Sequence, residues 1–293
     1  MLPNFIIAGT FPAGTGHLYS LLIQHPDIYL PQPMVPECNF FFKTSDYKNG
    51  LDWYEKRWFS QSKGQTAIGE RSSLLFYGPW VADRIKRHLP EIKLIFLFRN
   101  PIYRAYANYR FTVLAGYEHL NFEEALEAEE DRLARVDDPF WSEIQPHAYF
   151  SRGIYHEQLQ RYREKFDDCQ LLLMRSDELL EDRAGAMSRI LQFLNVDETF
   201  HFESRSDFST PDVIDPLIQC ELRKTAGTRF DEAIQRVRQR LPAENDLDYK
   251  LRANLRNDYE PISAELYNVL SRRYAPYNHQ LEAMVPFSIK DWF

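Results

Sequence analysis

A chain of 293 residues and 34.8 kDa is long enough to bury a large core, and 44% hydrophobic with 15% aromatic residues excludes a disordered chain. Its 43 acidic and 35 basic side chains give a formal charge of -8, which repels nucleic acid unless the basic residues cluster on one face. Cys38, Cys169 and Cys220 show no CxxC or CxxxC spacing and point to neither a disulfide framework nor a zinc site. No apolar run reaches the roughly 20 residues of a membrane span. The first strand-like run begins at about Asn4 and leaves no room for a signal peptide. The expectation is a cytoplasmic protein with no metal, no nucleic-acid partner and no membrane partner; oligomeric state is not encoded in any pattern we read.

The amino-terminal half alternates short apolar runs with helical patterns, the signature of a parallel sheet covered by helices. Asn4 to Ala8 reads as the first strand. A turn with Gly9, Pro12, Gly14 and Gly16 follows, then Leu18, Leu21 and Leu22 at helical spacing. Thr66 to Gly69 reads as a second strand, and Val81, Ile85 and Leu89 mark the helix after Pro79. Lys93 to Phe98 is the continuous apolar run of a strand buried on both faces. Phe122 to Arg135 predicts an acidic amphipathic helix. Tyr155, Leu159, Tyr162 and Phe166 predict another, leading into a fourth strand at Gln170 to Met174. From about Arg205 to Tyr249 the pattern weakens into loops and helices laid over the sheet. Tyr259, Ile262, Leu266 and Leu270 predict a last helix ending before Pro276. The reading is one α/β domain over residues 1–293, with a central parallel sheet flanked by helices and 205–249 as a covering insertion.

Gly9-Thr-Phe-Pro-Ala-Gly14-Thr15-Gly16, between strand and helix, matches the first six positions of a phosphate-binding P-loop. Backbone N–H groups in such a turn converge on an anion, with the positive end of the helix dipole behind them. Thr15 and Gly16 stand where a nucleoside-triphosphate loop carries Lys and Ser/Thr, which removes the main support for phosphoryl transfer.

Phe5 through Gly14-Thr15, with Leu18-Tyr19 and His25-Pro26-Asp27-Ile28, resembles the loop by which sulfotransferases hold the 5′-phosphosulfate of the donor PAPS. Leu97 to Tyr109 is similar to the family's 3′-phosphate segment. Pro36-Glu37-Cys38-Asn39-Phe40-Phe41 resembles the KExxFF stretch of the heparan sulfate branch, with Gly50-Leu51-Asp52-Trp53-Tyr54, Gly69-Glu70-Arg71-Ser72, Ser151 to Tyr155, and Leu266 to Leu281 following in order. The resemblance implies a P-loop-like fold, PAPS as donor, PAP as product, no metal, and an acceptor hydroxyl or amine. It places Pro12, Ala13, Gly14, Thr15, Gly16, His17, Arg99 and Ala107 around the nucleotide.

Three positions depart from the family. Pro12 replaces a lysine that touches the bridging oxygen, Ala107 replaces a serine that grips the 3′-phosphate, and Pro36 replaces the lysine before the acid. The resemblance makes Glu37 the general base, a role that desolvation by Phe40 and Phe41 would favour. Arg71, in the place of a family lysine, is the first candidate to neutralise the leaving phosphate, and His17 at the helix start is the second. The acidic chain and Pro36 point to a small, neutral or cationic acceptor, such as a natural product. The alternatives are a carbohydrate sulfotransferase and a PAP-binding homologue without turnover.

Overall fold

The computed structural model describes residues 1–134, 139–203, 211–258 and 260–293, with only the backbone of 139–141. Arg135, the start of the Arg205 to Tyr249 segment, and Tyr259 lie outside the described residues. The chain divides into two compact units: Met1–Asn100 with Ile154–Ser206 and Ala275–Phe293, and Pro101–Gly153 with Asp207–Tyr274.

The first unit is built on five parallel strands, β1 (Phe5–Gly9), β2 (Ile28–Tyr29), β3 (Ala67–Arg71), β4 (Lys93–Phe98) and β5 (Leu171–Arg175), in the spatial order β2-β3-β1-β4-β5. The two-residue β2 carried too little pattern to be seen in the sequence. β4 shows why its run is continuously apolar. Ile95 and Leu97 pack into a cluster with Leu18, Leu22, Ile190 and Leu194, while Phe96 and Phe98 face Phe76, Tyr155 and Tyr162. Strand alternation therefore sends aliphatic side chains to one layer and aromatic ones to the other. The aliphatic layer is supplied by α1 (Thr15–Leu22) and the helix Arg183–Leu194. Gly69 must be glycine, because a Cβ there would lie 2.4 Å from the Phe5 ring.

The second unit centres on the helix Pro101–Leu114. Its Ile102 and Ala105 join Phe122, Leu126, Tyr149, Leu270 and Tyr274 in one core cluster. The described part of the weakly patterned segment holds the helices Pro216–Ala226 and Thr228–Arg238, the start of Asp246–Ala253, and the strand Asp212–Val213, which pairs antiparallel with Leu255–Arg256. The acidic helix predicted at Phe122 is two short ones, Phe122–Glu127 and Glu129–Leu133.

The last helix corrects the sequence reading. It runs from Ala264 to Glu282, through Pro276. Proline removes one intrahelical hydrogen bond, a cost of about 3 kcal/mol. Packing beyond it offsets that loss: Leu281 is buried, and Asn278 donates to the Trp292 carbonyl at 3.0 Å. Among the described residues, no helix is long and apolar enough to cross a membrane.

Candidate functional site

The loop between β1 and α1 is fixed to the neighbouring strand. The Thr10 N–H and hydroxyl both donate to the Leu97 carbonyl, at 2.9 and 3.0 Å. Gly9 lies so close to Phe76 that a Cβ would approach the Phe76 Cβ to 2.7 Å. Gly14, at φ 80, takes the left-handed turn into α1. No side chain caps α1 and no acid occupies its first turn, so its first N–H groups are not taken up by the helix's own side chains. Ala13 is buried, Pro12 half-buried and Gly14 exposed. This backbone suits a phosphate or sulfate group.

Beside the loop stands an ion pair. Arg71, at the end of β3, places Nη1 2.7 Å from Oε1 of Glu37, with side chains 9% and 15% exposed. The same Nη1 is 3.5 Å from Oγ1 of Thr15, and Nη2 donates to the Met34 carbonyl at 3.1 Å. Gly16, in the first turn of α1, borders the guanidinium: a Cβ there would lie 3.9 Å from Nη1, in ordinary contact. Glu37 is also held by Ser73, whose N–H donates to Oε2 at 2.7 Å and whose hydroxyl lies 2.8 and 3.0 Å from the two oxygens. The acid is therefore fixed by charge from one residue and by two donors from another.

Of the residues expected at the site, Glu37, Arg71, Thr15 and Gly16 come together. His17 lies two residues into α1, where burial and then the charge of Arg183 push its imidazole below its ordinary value. Its surroundings include Arg183. Arg99 follows β4 at the same carboxyl edge of the sheet as the loop, and its carbonyl accepts from the Tyr155 hydroxyl at 2.8 Å. That edge is where open parallel sheets bind ligands. Ala107 is on the helix Pro101–Leu114, in the second unit.

Sequence reasoning missed Ser73, Met34 and Ser176. Ser73 was legible in principle, because two serines directly after a strand-ending arginine supply hydroxyl and backbone donors at the sheet edge. The carbonyl role of Met34 leaves no trace in residue type. Ser176 closes on the loop from β5, its Cβ 3.9 Å from where a Gly14 Cβ would be.

Residues 2–220 match the family model described as the sulfotransferase domain, three quarters of the chain. The chain belongs to the PAPS-dependent sulfotransferase family. It is 27% identical over 278 residues to human heparan sulfate glucosamine 3-O-sulfotransferase 3B1, covering 92% of this chain and 63% of that protein. It is 27% identical over 261 residues to the Caenorhabditis briggsae bifunctional heparan sulfate N-deacetylase/N-sulfotransferase 1, covering 84% of this chain and 29% of the relative. The sulfotransferase domain thus spans less than two thirds of these curated relatives. A crystal structure of a sulfotransferase from Alicyclobacillus acidocaldarius has the same fold, with a TM-score of 0.72, 23% identity, and coverage of 100% of this chain and 99% of that one.

Proposed function

We propose that this sulfotransferase domain moves the sulfuryl group of PAPS to a hydroxyl or amine of a small acceptor and releases PAP. One observation carries the reading: Arg71 reaches the acid Glu37 at 2.7 Å and the loop residue Thr15 at 3.5 Å, joining a base to a phosphate-binding turn. In the reaction the acceptor O–H or N–H gives its proton to Glu37 while the acceptor atom bonds to sulfur. The bond from sulfur to the bridging oxygen breaks, and its electron pair passes to the 5′-phosphate of PAP. The amides of Gly14, Thr15 and Gly16 hold that phosphate, Pro12, Ala13 and His17 shape the loop, and Arg99 binds the nucleotide's 3′-phosphate. Pro12 can neither donate nor carry charge, so Arg71 balances the developing negative charge.

The net charge of -8 and the exposed Pro36 beside Glu37 support a neutral or cationic acceptor of low mass. The test is release of PAP from PAPS with a phenol, an aliphatic amine, and neutral or sulfated glucosamine oligosaccharides offered separately. Turnover with the uncharged or cationic acceptors is expected; turnover confined to sulfated oligosaccharides would replace the small acceptor by a carbohydrate. Pro12 favours a second reading, a PAP-binding homologue without turnover. Calorimetric PAP binding with no PAP release from any acceptor would establish it.

A further inference from the structure

Behind the ion pair lies an acid for which sulfuryl transfer has no direct use. Glu70 precedes Arg71 on β3, and the period of two in a strand turns the two side chains to opposite faces. Arg71 meets Glu37, whereas Glu70 is fully buried. Its polar neighbours are the Cys38 thiol, the phenol of Tyr54 from the helix Gly50–Trp58, and the Ser72 hydroxyl. Neither Glu70 oxygen nor the Tyr54 hydroxyl makes a hydrogen bond of ordinary length, although all three are sealed from water. A buried acid with three donors around it but no hydrogen bond of ordinary length is costly as plain scaffolding.

The neighbours of Glu70 are also the supports of Glu37. Cys38 is the next residue after Glu37. The Ser72 hydroxyl accepts the Asn39 N–H at 2.7 Å, and Ser73, one residue further, donates twice to the Glu37 carboxylate. Any change in how Glu70 engages Cys38 or Ser72 is therefore passed within one residue to both ends of the loop that presents the base. Burial raises Glu70 to about 7 against the lowering effect of the Cys38, Tyr54 and Ser72 donors, and the like charge of Glu37 adds a smaller upward push, so the acid changes charge near neutrality. The other ionisable groups around it are Cys38 and Tyr54, both pushed well up by burial and by Glu70 itself, with Arg71 on the same strand. Beyond Cys38 stand Tyr19 of α1 and Tyr29 of β2, both raised by burial.

We propose that Glu70 is a positioning residue for Glu37: through Cys38 and Ser72 it sets the placement of the base from behind the strand, and its own ionisation sets the acid limb of activity. This rests on Glu37 as the base. With Glu70 ionised, the Cys38, Tyr54 and Ser72 protons have an acceptor, which holds Cys38 and Ser72 in place beside Glu37; with Glu70 neutral, that hold is lost.

The test uses the full chain saturated with PAP, carrying carbon-13 at its glutamate carboxyls, and followed by infrared spectroscopy between about pH 5 and 9. A protonated-carboxyl band titrating near pH 7 is expected in the parent and in Glu37→Gln, and is expected to be missing from Glu70→Gln. The carboxylate band that vanishes in Glu37→Gln should be displaced in Glu70→Gln. Where an acceptor supports turnover, Glu70→Gln should lower kcat about tenfold, leave KM for PAPS within about twofold, and flatten the acid limb. No band titrating near neutrality, or an unmoved Glu37 band in Glu70→Gln, overturns the proposal. If Glu70→Gln fails to fold, Tyr54→Phe removes one donor to the ionised acid and should raise the midpoint; an unmoved midpoint overturns the proposal equally. Normal turnover in Glu37→Gln removes the base reading itself, a result separate from the Glu70 titration.

Discussion

Arg71→Ala is the perturbation that separates a joined site from two neighbouring side chains. The pair is 2.7 Å apart and largely withdrawn from water, with 9% and 15% exposure. Removing one partner of a fully buried pair costs about 3 to 5 kcal/mol, chiefly because the other charge is left uncompensated. Glu37 keeps both donors of Ser73, and some solvent reaches it, so about 2 to 3 kcal/mol is expected here. In Glu37→Gln, Arg71 retains the Met34 carbonyl and Thr15. The double variant should therefore be more stable than the sum of the single losses by about 1 to 3 kcal/mol, measured by urea unfolding of all four proteins. Single-turnover transfer at saturating PAPS gives the chemical side. Arg71→Ala should slow it about 100- to 1,000-fold and Glu37→Gln about 100-fold or more, with PAP affinity changed much less. Additive stabilities, or a parental single-turnover rate in Arg71→Ala, would refute the reasoning.

Arg99→Ala should weaken PAP binding by roughly 2 to 4 kcal/mol, since charge-assisted bonds to a phosphate are lost; equal affinities by calorimetry would remove Arg99 from the site. Pro12→Lys in the Arg71→Ala background should restore part of the single-turnover rate, because charge returns to the loop; no recovery in a folded, PAP-binding protein would show that charge at the loop is not what Arg71 supplies. The pH dependence of stability reports Glu70. Its folded value is raised from 4.5 to about 7, so the folded chain keeps a proton that the unfolded chain has released. That contribution is present below about pH 4.5 and falls by about 3 kcal/mol as pH rises through 7. Urea unfolding across this range should show the fall in the parent and not in Glu70→Gln.

Four of the five central strands were readable from short apolar stretches between turn signals, which are continuous in Phe5 to Gly9 and Lys93 to Phe98. β2 was not, since two residues cannot display a period. The end of the last helix was misplaced because Pro276 is a local stop signal, while Leu281 and Asn278 hold the helix through tertiary contacts invisible to local pattern. At the site, the glycine pattern marked the loop, and the family resemblance pointed to Glu37 and Arg71. Neither announced that Arg71 would bind Glu37 and Thr15 with the same nitrogen. That depends on the distance between β3 and α1, which only the folded chain defines.

The choice of arginine rather than lysine at position 71 follows from the number of bonds made there. One guanidinium serves the Glu37 carboxylate, the Met34 carbonyl and the Thr15 hydroxyl, which lie in different directions, and its planar fork reaches them without reorienting. An ammonium is a single point of charge on a flexible stem and would have to favour one partner. On the proposed mechanism, with Pro12 supplying no charge on the loop, the group at position 71 holds Glu37 and faces the leaving phosphate together. Arg71→Lys keeps the charge but divides those two tasks. The expected outcome is a protein within about 1 to 2 kcal/mol of the parent in stability, with single-turnover transfer slowed about tenfold and faster than in Arg71→Ala. A lysine protein with the parental rate would show that charge alone is required at this position; one no faster than Arg71→Ala would show that the fork, and not the charge, carries the step.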